Sequence, residues 1–323
     1  MRTCIQSIAV MLCLMGQVLS ALAQDFPPKS SISMVVGFAA GGAADTAARI
    51  IAKKLGENIG ASVVIDNRPG AGGNIAHQFV ANGPTDGSVI LLGSVGPLTI
   101  APHMMKVSYD PLKDFAAISM GVNTPNLLVV HADTKIKTFA EFIAFAKKNP
   151  GKLDFASTGP GSASHLAGEL LNDIAQIQTL HIPYKGGAPA MQDLLGGRVM
   201  AHYSTVSTAK PYIENGKLIP LASTGSQRLP AYPSVPTIAE SGYPAYSATN
   251  WYAFVASSKV PKPVLDRWHL EIVKVLKSPD VVSQLSSHGL MPTPSSREEL
   301  AKVIQTEHAT WGRVIKERKI TGE

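Results

Sequence analysis

Two glycine-rich stretches in this 323-residue sequence have the residue types and spacing to hold an anion. The first is Gly37-Phe38-Ala39-Ala40-Gly41-Gly42-Ala43-Ala44-Asp45, and the second is Ser157-Thr158-Gly159-Pro160-Gly161-Ser162-Ala163-Ser164-His165. Each follows a short apolar run and precedes an amphipathic one, so each reads as a turn from a strand into a helix. Small residues let backbone N–H groups approach a ligand, and the start of a helix adds unpaired N–H groups and a partial positive charge. A carboxylate suits both. In the second stretch the hydroxyls of Ser157, Thr158, Ser162 and Ser164 add donors, and His165 opens the helix. In the first, Asp45 is placed to support the loop by capping it or holding water. Either turn alone is ordinary, with glycine relieving strain and serine capping; one in each of two lobes would make a clamp.

Other chemistries have weaker footing in the residues. Ser162 beside His165 raises a serine hydrolase acting on a small ester, yet no G-x-S-x-G elbow occurs in the sequence. His165 and Glu169 are spaced to share a helix face around a metal, but no third ligand is near and H-E-x-x-H is absent. There is no phosphate-binding G-x-x-x-x-G-K-[ST], and Gly159-Pro160-Gly161 lacks the rest of a dinucleotide fingerprint, so no cofactor is expected. The formal charge of +6 includes Arg2 and is scattered. Its densest run, Lys316-Glu317-Arg318-Lys319, is not interleaved with aromatics, and no nucleic-acid partner is expected.

Positioning the two turns requires an α/β chain. Short apolar strands alternate with helices: strand Ser31–Phe38, helix Ala43–Asn58, strand Ser62–Asp66, helix Asn74–Asn82 and strand Val89–Gly93. Gly93-Ser94-Val95-Gly96-Pro97 follows that last strand, and Arg68–Asn74 precedes the second helix, so both can rim a cleft; Ser94 and Gly96 are candidate ligand contacts. Extended segments Ala116–Val122 and Asn126–His131 flank a crossing at Thr124-Pro125. A second series runs through helix Thr138–Lys148, strand Leu153–Ser157, helix Ser162–Ile174, strand Thr179–Ile182, helix Ala188–Leu195, strand Val199–Tyr203, helix Val206–Asn215 and strand Leu218–Ser223. After a proline-rich connection, Ala248–Ala256 resumes as a strand and three helices follow, at Pro261–Lys277, Pro279–His288 and Ser296–Lys319. The expected division is lobe 1 from residues 24–123 plus 248–323, lobe 2 from 124–247, and a ligand site in the cleft between them.

Residues 1–23 read as an export leader: Arg2, an apolar stretch from Ile8 to Leu22, and an Ala21-Leu22-Ala23 cleavage site. The apolar stretch is interrupted by Gly16, Gln17 and Ser20 and is too short for a comfortable membrane span. Both cysteines, Cys4 and Cys13, fall inside it. The exported product therefore has no thiols and no disulfides, and its stability must come from a buried core.

Taken together, Phe38-Ala39-Ala40-Gly41-Gly42 with Asp45, Asp66-Asn67-Arg68-Pro69-Gly70-Ala71-Gly72-Gly73-Asn74, Tyr109–Phe115, Ser164–Glu169 and Tyr184-Lys185-Gly186-Gly187 resemble a known family. It is the substrate-binding family of tripartite tricarboxylate transporters, also called the Bug (Bordetella uptake gene) receptors. Val235-Pro236-Thr237 and Asn250-Trp251-Tyr252 extend the resemblance over essentially the whole exported chain. It implies a two-lobed, Venus-flytrap periplasmic-binding-protein fold of type II-like form, monomeric, that delivers small carboxylates to a membrane permease. It also implies that the loops matching Phe38–Asp45 and Ser157–His165 close on the carboxylate, partly through water. Gly37 and Ala40 depart from the prolines usual in the family. His202-Tyr203-Ser204-Thr205 occupies a stretch that varies with ligand, which makes Tyr203, Ser204 and Thr205 candidate specificity contacts.

Overall fold

The computed structural model describes residues 26–28 and 31–320; the leader and its cleavage point lie outside the described residues. Two sheets organise the chain. The first has strand order β11-β4-β10-β3-β1-β2, from β1 (Ser31–Val36), β2 (Ser62–Asn67), β3 (Val89–Ser94), β4 (Phe115–Asn123), β10 (Trp251–Ser257) and β11 (Met291–Pro292). Parallel β1, β2 and β3 are joined by crossover helices, and β10 enters antiparallel between β3 and β4. The second sheet has order β7-β6-β8-β5-β9, from β5 (Asn126–His131), β6 (Leu153–Ser157), β7 (Thr179–Pro183), β8 (Ala201–Thr205) and β9 (Leu218–Ser223).

The inner strands of both sheets are covered on both faces, which explains why strands such as β3, β5, β8 and β10 are continuous buried runs and not alternating patterns. In β10, Tyr252, Phe254 and Ala256 face a core shared with α1 (Ala43–Ile59), while Trp251, Ala253 and Val255 face the opposite core. That second core includes α2 (Asn74–Ala81); the chain then makes helical turns through Gly96–Ile100 and α3 (Ala101–Met104). In the second sheet, Leu128 and Val130 pack with α4 (Phe139–Lys148) and α5 (Ala163–Ala175). Leu127 and Val129, pointing the other way, meet α6 (Gly187–Leu195) and α7 (Val206–Glu214).

After β10 the chain returns to the first sheet as α8 (Lys262–Leu276), α9 (Pro279–Ser287) and α10 (Arg297–Arg318). Helix α10 reaches across as well: Val314 touches the α5 core and Arg318 pairs with Asp173 of α5. The segments joining the sheets lie side by side, Thr124 N–H donating to Asn250 O at 2.8 Å and the Asn250 amide to Asn126 Oδ1 at 3.2 Å. Two interlobe crossings thus form one narrow hinge. Among the described residues no helix is long and apolar enough to cross a membrane.

Candidate ligand-binding site

The carboxyl ends of β1, β3, β6 and β8 point into the gap between the sheets, the usual place for a ligand in open α/β sheets. A cavity of about 30 Å³ lies there, lined from the first lobe by Phe38, Gly42, Ala43, Ala44, Ser94, Val95, Gly96 and Tyr252. Thr158, Ala163, Ser164, Gly187, His202, Tyr203, Thr205 and Thr208 line it from the second, and Asn126 and Asn250 from the hinge. No acidic side chain, lysine or arginine is among the lining residues. Such a volume admits only about one or two water molecules, so any larger solute requires the lobes to part.

The first turn is built to expose backbone. Gly42 caps α1 in an extended conformation with no side-chain hydrogen bond, leaving the first-turn N–H groups beside the cavity. Asp45 itself points away from it and is buried. Its carboxylate accepts Gly41 N–H at 3.0 Å, Asn67 Nδ2 at 3.1 Å and Arg49 Nε at 2.9 Å, and Asn67 also donates to Phe38 O. Burial alone would raise the Asp45 carboxyl, but the hydrogen bonds from Arg49, Gly41 and Asn67 outweigh it and hold the group below its ordinary value.

The second turn is built from hydroxyls. Ser164 Oγ accepts Thr158 N–H at 2.9 Å and lies 3.0 Å from Thr158 Oγ1 and 3.1 Å from Ser162 Oγ. Ser162 caps α5 by accepting His165 N–H, and Ser157 Oγ accepts Gly159 N–H and shares a 2.6 Å hydrogen bond with His181. Thr158 and Ser164 reach the cavity; Ser157, Gly159, Gly161 and Ser162 shape the turn behind them.

His165 turns inward and stacks on His181 at 3.8 Å. Its Nδ1 accepts Gly161 N–H, which puts its proton on Nε2, and burial with His181 alongside lowers it to about 3. With Nδ1 occupied and Ser162 Oγ engaged as a cap, the pair lacks the base-to-nucleophile contact a serine hydrolase needs. His165 Nε2 lies 3.8 Å from Glu169, whose carboxyl burial raises, and no group of three or more metal-binding side chains occurs among the described residues.

Of the residues singled out in the sequence, Phe38, Gly42, Ala43, Ser94, Gly96, Thr158, Ser164, Tyr203 and Thr205 converge on the cavity. Ala39, Ala40, Gly41, Asp45, Ser157, Gly159, Gly161, Ser162, Ser204 and His165 are not among the lining residues, and Ala40 and Gly41 are exposed. Sequence reasoning did not single out Asn126, Asn250, Gly187 and Thr208, and named His202 only within the stretch His202–Thr205, yet all five line the cavity. Gly186-Gly187 carried a usable signal, a third glycine-rich turn entering a helix, since α6 also starts without a side-chain cap. With α7, whose cap Thr205 likewise makes no side-chain cap bond, four helix starts border the cavity.

The lobes meet backbone to backbone around this space. Ala39 N–H donates to Lys185 O at 3.1 Å. A Cβ on Gly96 would lie 2.7 Å from Gly161 O, and one on Gly72 would lie 2.1 Å from Pro160 O, so both positions require glycine in this closed arrangement.

Solved structures share the architecture. The periplasmic binding protein BugD is 33% identical, with 90% of this chain and 98% of BugD covered and a TM-score of 0.86. Rpa4515 of R. palustris, solved with adipate, is 33% identical over 92% of this chain and 99% of its own, with a TM-score of 0.87. MatC from Rhodopseudomonas palustris, with bound malate, is 29% identical over 88% and 98%, with a TM-score of 0.84. The family model described as tripartite tricarboxylate transporter family receptor matches residues 47–320. This chain therefore belongs to the tripartite tricarboxylate transporter receptor family, the Bug-type periplasmic solute-binding proteins, and is a receptor and not an enzyme.

Proposed function

We propose that this protein closes on a small carboxylate between its lobes and hands it to the membrane permease of a tripartite tricarboxylate-type transporter. One observation carries the reading: a cavity between the lobes, with no charged side chain in its lining, is bordered by the starts of four helices. Partial charges and hydrogen-bond donors then take the place of a salt bridge. A hydrogen bond to a charged oxygen contributes about 1.5–3 kcal/mol and a partly buried helix start up to about 2 kcal/mol. Four or five such interactions reach, in gross terms, the roughly 8 kcal/mol of micromolar binding. The adipate and malate of the two R. palustris relatives support the same ligand class.

In this reading the lining members of both turns, with Tyr203 and Thr205, contact the ligand, while Asp45 and the remaining turn residues hold them in place. Lobe 1 comprises residues 24–123 and 248–323, and lobe 2 comprises 124–247. The leader is cut after Ala23, and the periplasmic product acts as a monomer without cofactor or nucleic acid. A thermal-shift screen with aliphatic and aromatic mono- and dicarboxylates, each beside its primary amide, tests the anion requirement. At a ligand concentration 100-fold above Kd the acids should stabilise the fold by about 2.7 kcal/mol, and the amides should not. Equal shifts from acids and amides would remove the anion clamp from the account.

A further inference from the structure

The cavity is rich in groups that donate hydrogen bonds and poor in side chains that can only accept. His202 is the exception. It sits on β8, in the middle of the second sheet, is fully buried and lines the cavity. Its Nδ1 lies 2.9 Å from Ala156 O. A carbonyl has no proton to give, so the ring proton is on Nδ1 and the contact fixes both tautomer and ring orientation. Burial lowers the imidazole to about 4, which keeps it neutral in the periplasmic pH range. Its Nε2 is therefore a bare acceptor, buried and without a partner.

We propose that His202 selects, within the carboxylate class, ligands that also carry a neutral hydrogen-bond donor, an alcohol or phenol hydroxyl or an amide N–H, placed to donate to its Nε2. This rests on the carboxylate reading above and adds a second recognition point to it. A carboxylate oxygen cannot satisfy Nε2, because it too only accepts. The helix starts, together with buried and unpartnered Ser94 Oγ and Asn126 Nδ2, are suited to the carboxylate instead. An ammonium could donate to Nε2, but it would be desolvated with no acidic side chain in the lining and with four helix starts of like sign around it. Amino acids are thereby disfavoured and neutral donors preferred.

Calorimetric titration of the protein with matched pairs tests this: lactate against propionate, L-malate against succinate, and 3-hydroxybenzoate against benzoate. In at least one pair the hydroxylated acid should bind about 10-fold more tightly. That ratio should fall to near one in His202→Leu and recover in part in His202→Gln, whose amide oxygen again accepts. A purely structural role for His202 would weaken both members of a pair alike and leave the ratio unchanged. His77 has the same arrangement outside the cavity, with Nδ1 on Gly73 O and Nε2 unpartnered, so His77→Gln should keep the wild-type ratio. Equal or tighter binding of the unhydroxylated acid in every pair would overturn the proposal while leaving carboxylate binding intact. Binding of neutral solutes alone, with no acid of any pair bound, would overturn both readings together. The wild-type ratios stand as a test even where a His202 variant does not fold.

Discussion

The turn entering α1 and the turn entering α5 face one cavity from opposite lobes, and they solve the same problem with different atoms. The first presents backbone: Gly42 supplies no cap, and a buried carboxylate behind the turn holds Gly41 and Asn67 in place. The second presents side chains: Ser162 closes its own helix start, and Thr158 and Ser164 carry hydroxyls to the cavity. A backbone donor has a fixed direction, whereas a hydroxyl rotates and can either donate or accept. The turn into α1 is thus suited to hold a constant part of a ligand, and the turn into α5 to adapt to what varies.

Removing the apposition of the two turns should have the largest effect. Gly96 lies in a helical turn and is not among the glycines of positive φ, so alanine there is compatible with the backbone. Only the contact with Gly161 O and Ser162 Cα forbids the added methyl. Gly96→Ala should weaken carboxylate binding roughly 100-fold while changing the melting temperature of the ligand-free protein little. A large loss of ligand-free stability with unchanged affinity would show that Gly96 serves folding and not closure.

Asp45→Ala comes next because it unties the backbone-presenting side alone. Its carboxylate accepts three hydrogen bonds, from Gly41, Arg49 and Asn67. Losing them should cost about 2–3 kcal/mol of stability and about 10-fold in affinity. The pH dependence follows from the direction of the shift. The folded-state value is depressed, so the stabilisation is fully present above the unfolded-state value of about 4 and is lost as pH falls through the lower folded one. Acid unfolding should therefore be less steep in Asp45→Asn than in the wild type below about pH 4, measured by circular dichroism. Ser164→Ala, on the hydroxyl-presenting side, should reduce affinity about 5-fold and should do so unevenly among acids of different shape. A uniform loss would mean that Ser164 holds the constant group.

Much of this arrangement was legible in the chain. Strands β6 and β9 run over Leu153–Ser157 and Leu218–Ser223, as the apolar runs and their glycine and proline boundaries require. Strand β8 runs from Ala201 to Thr205, two residues later than the expected Val199–Tyr203. A two-residue slip keeps every side chain on its own face, so periodicity could not detect it. The helical turns from Gly96 to Met104 were not expected; Pro97 and Pro102 each stand near the start of a turn, where proline gives up no bonded N–H. Of the candidate site, the cavity-lining members of the two turns were legible, because local composition makes those turns. Asn126 and Asn250 reach the cavity only because two sheets face each other across a hinge, and that apposition leaves no local mark; His202 was marked only as part of the stretch His202–Thr205. His165 was misplaced for a related reason: its position at a helix start was visible, but its inward rotation depends on His181, sixteen residues later in β7.

The smallest expected effect is also the sharpest test of the division between presenting and shaping residues. Ser162 and Ser164 are two residues apart, both buried, and hydrogen-bonded to each other, yet only Ser164 lines the cavity. Ser162 Oγ accepts His165 N–H and so acts as a cap. Its replacement by alanine should cost about 1 kcal/mol of stability, a downward shift of a few degrees in melting temperature. Affinity should stay within about 2-fold, because the remaining hydroxyls of Thr158 and Ser164 still reach the ligand. The same variant separates the receptor from a hydrolase: any slow ester turnover should be equal in Ser162→Ala and the wild type, since Ser162 has no base. If Ser162→Ala instead lowered affinity as much as Ser164→Ala, the second turn would work as a single hydroxyl network. Its adaptability would then belong to the whole network and not to the residue nearest the ligand.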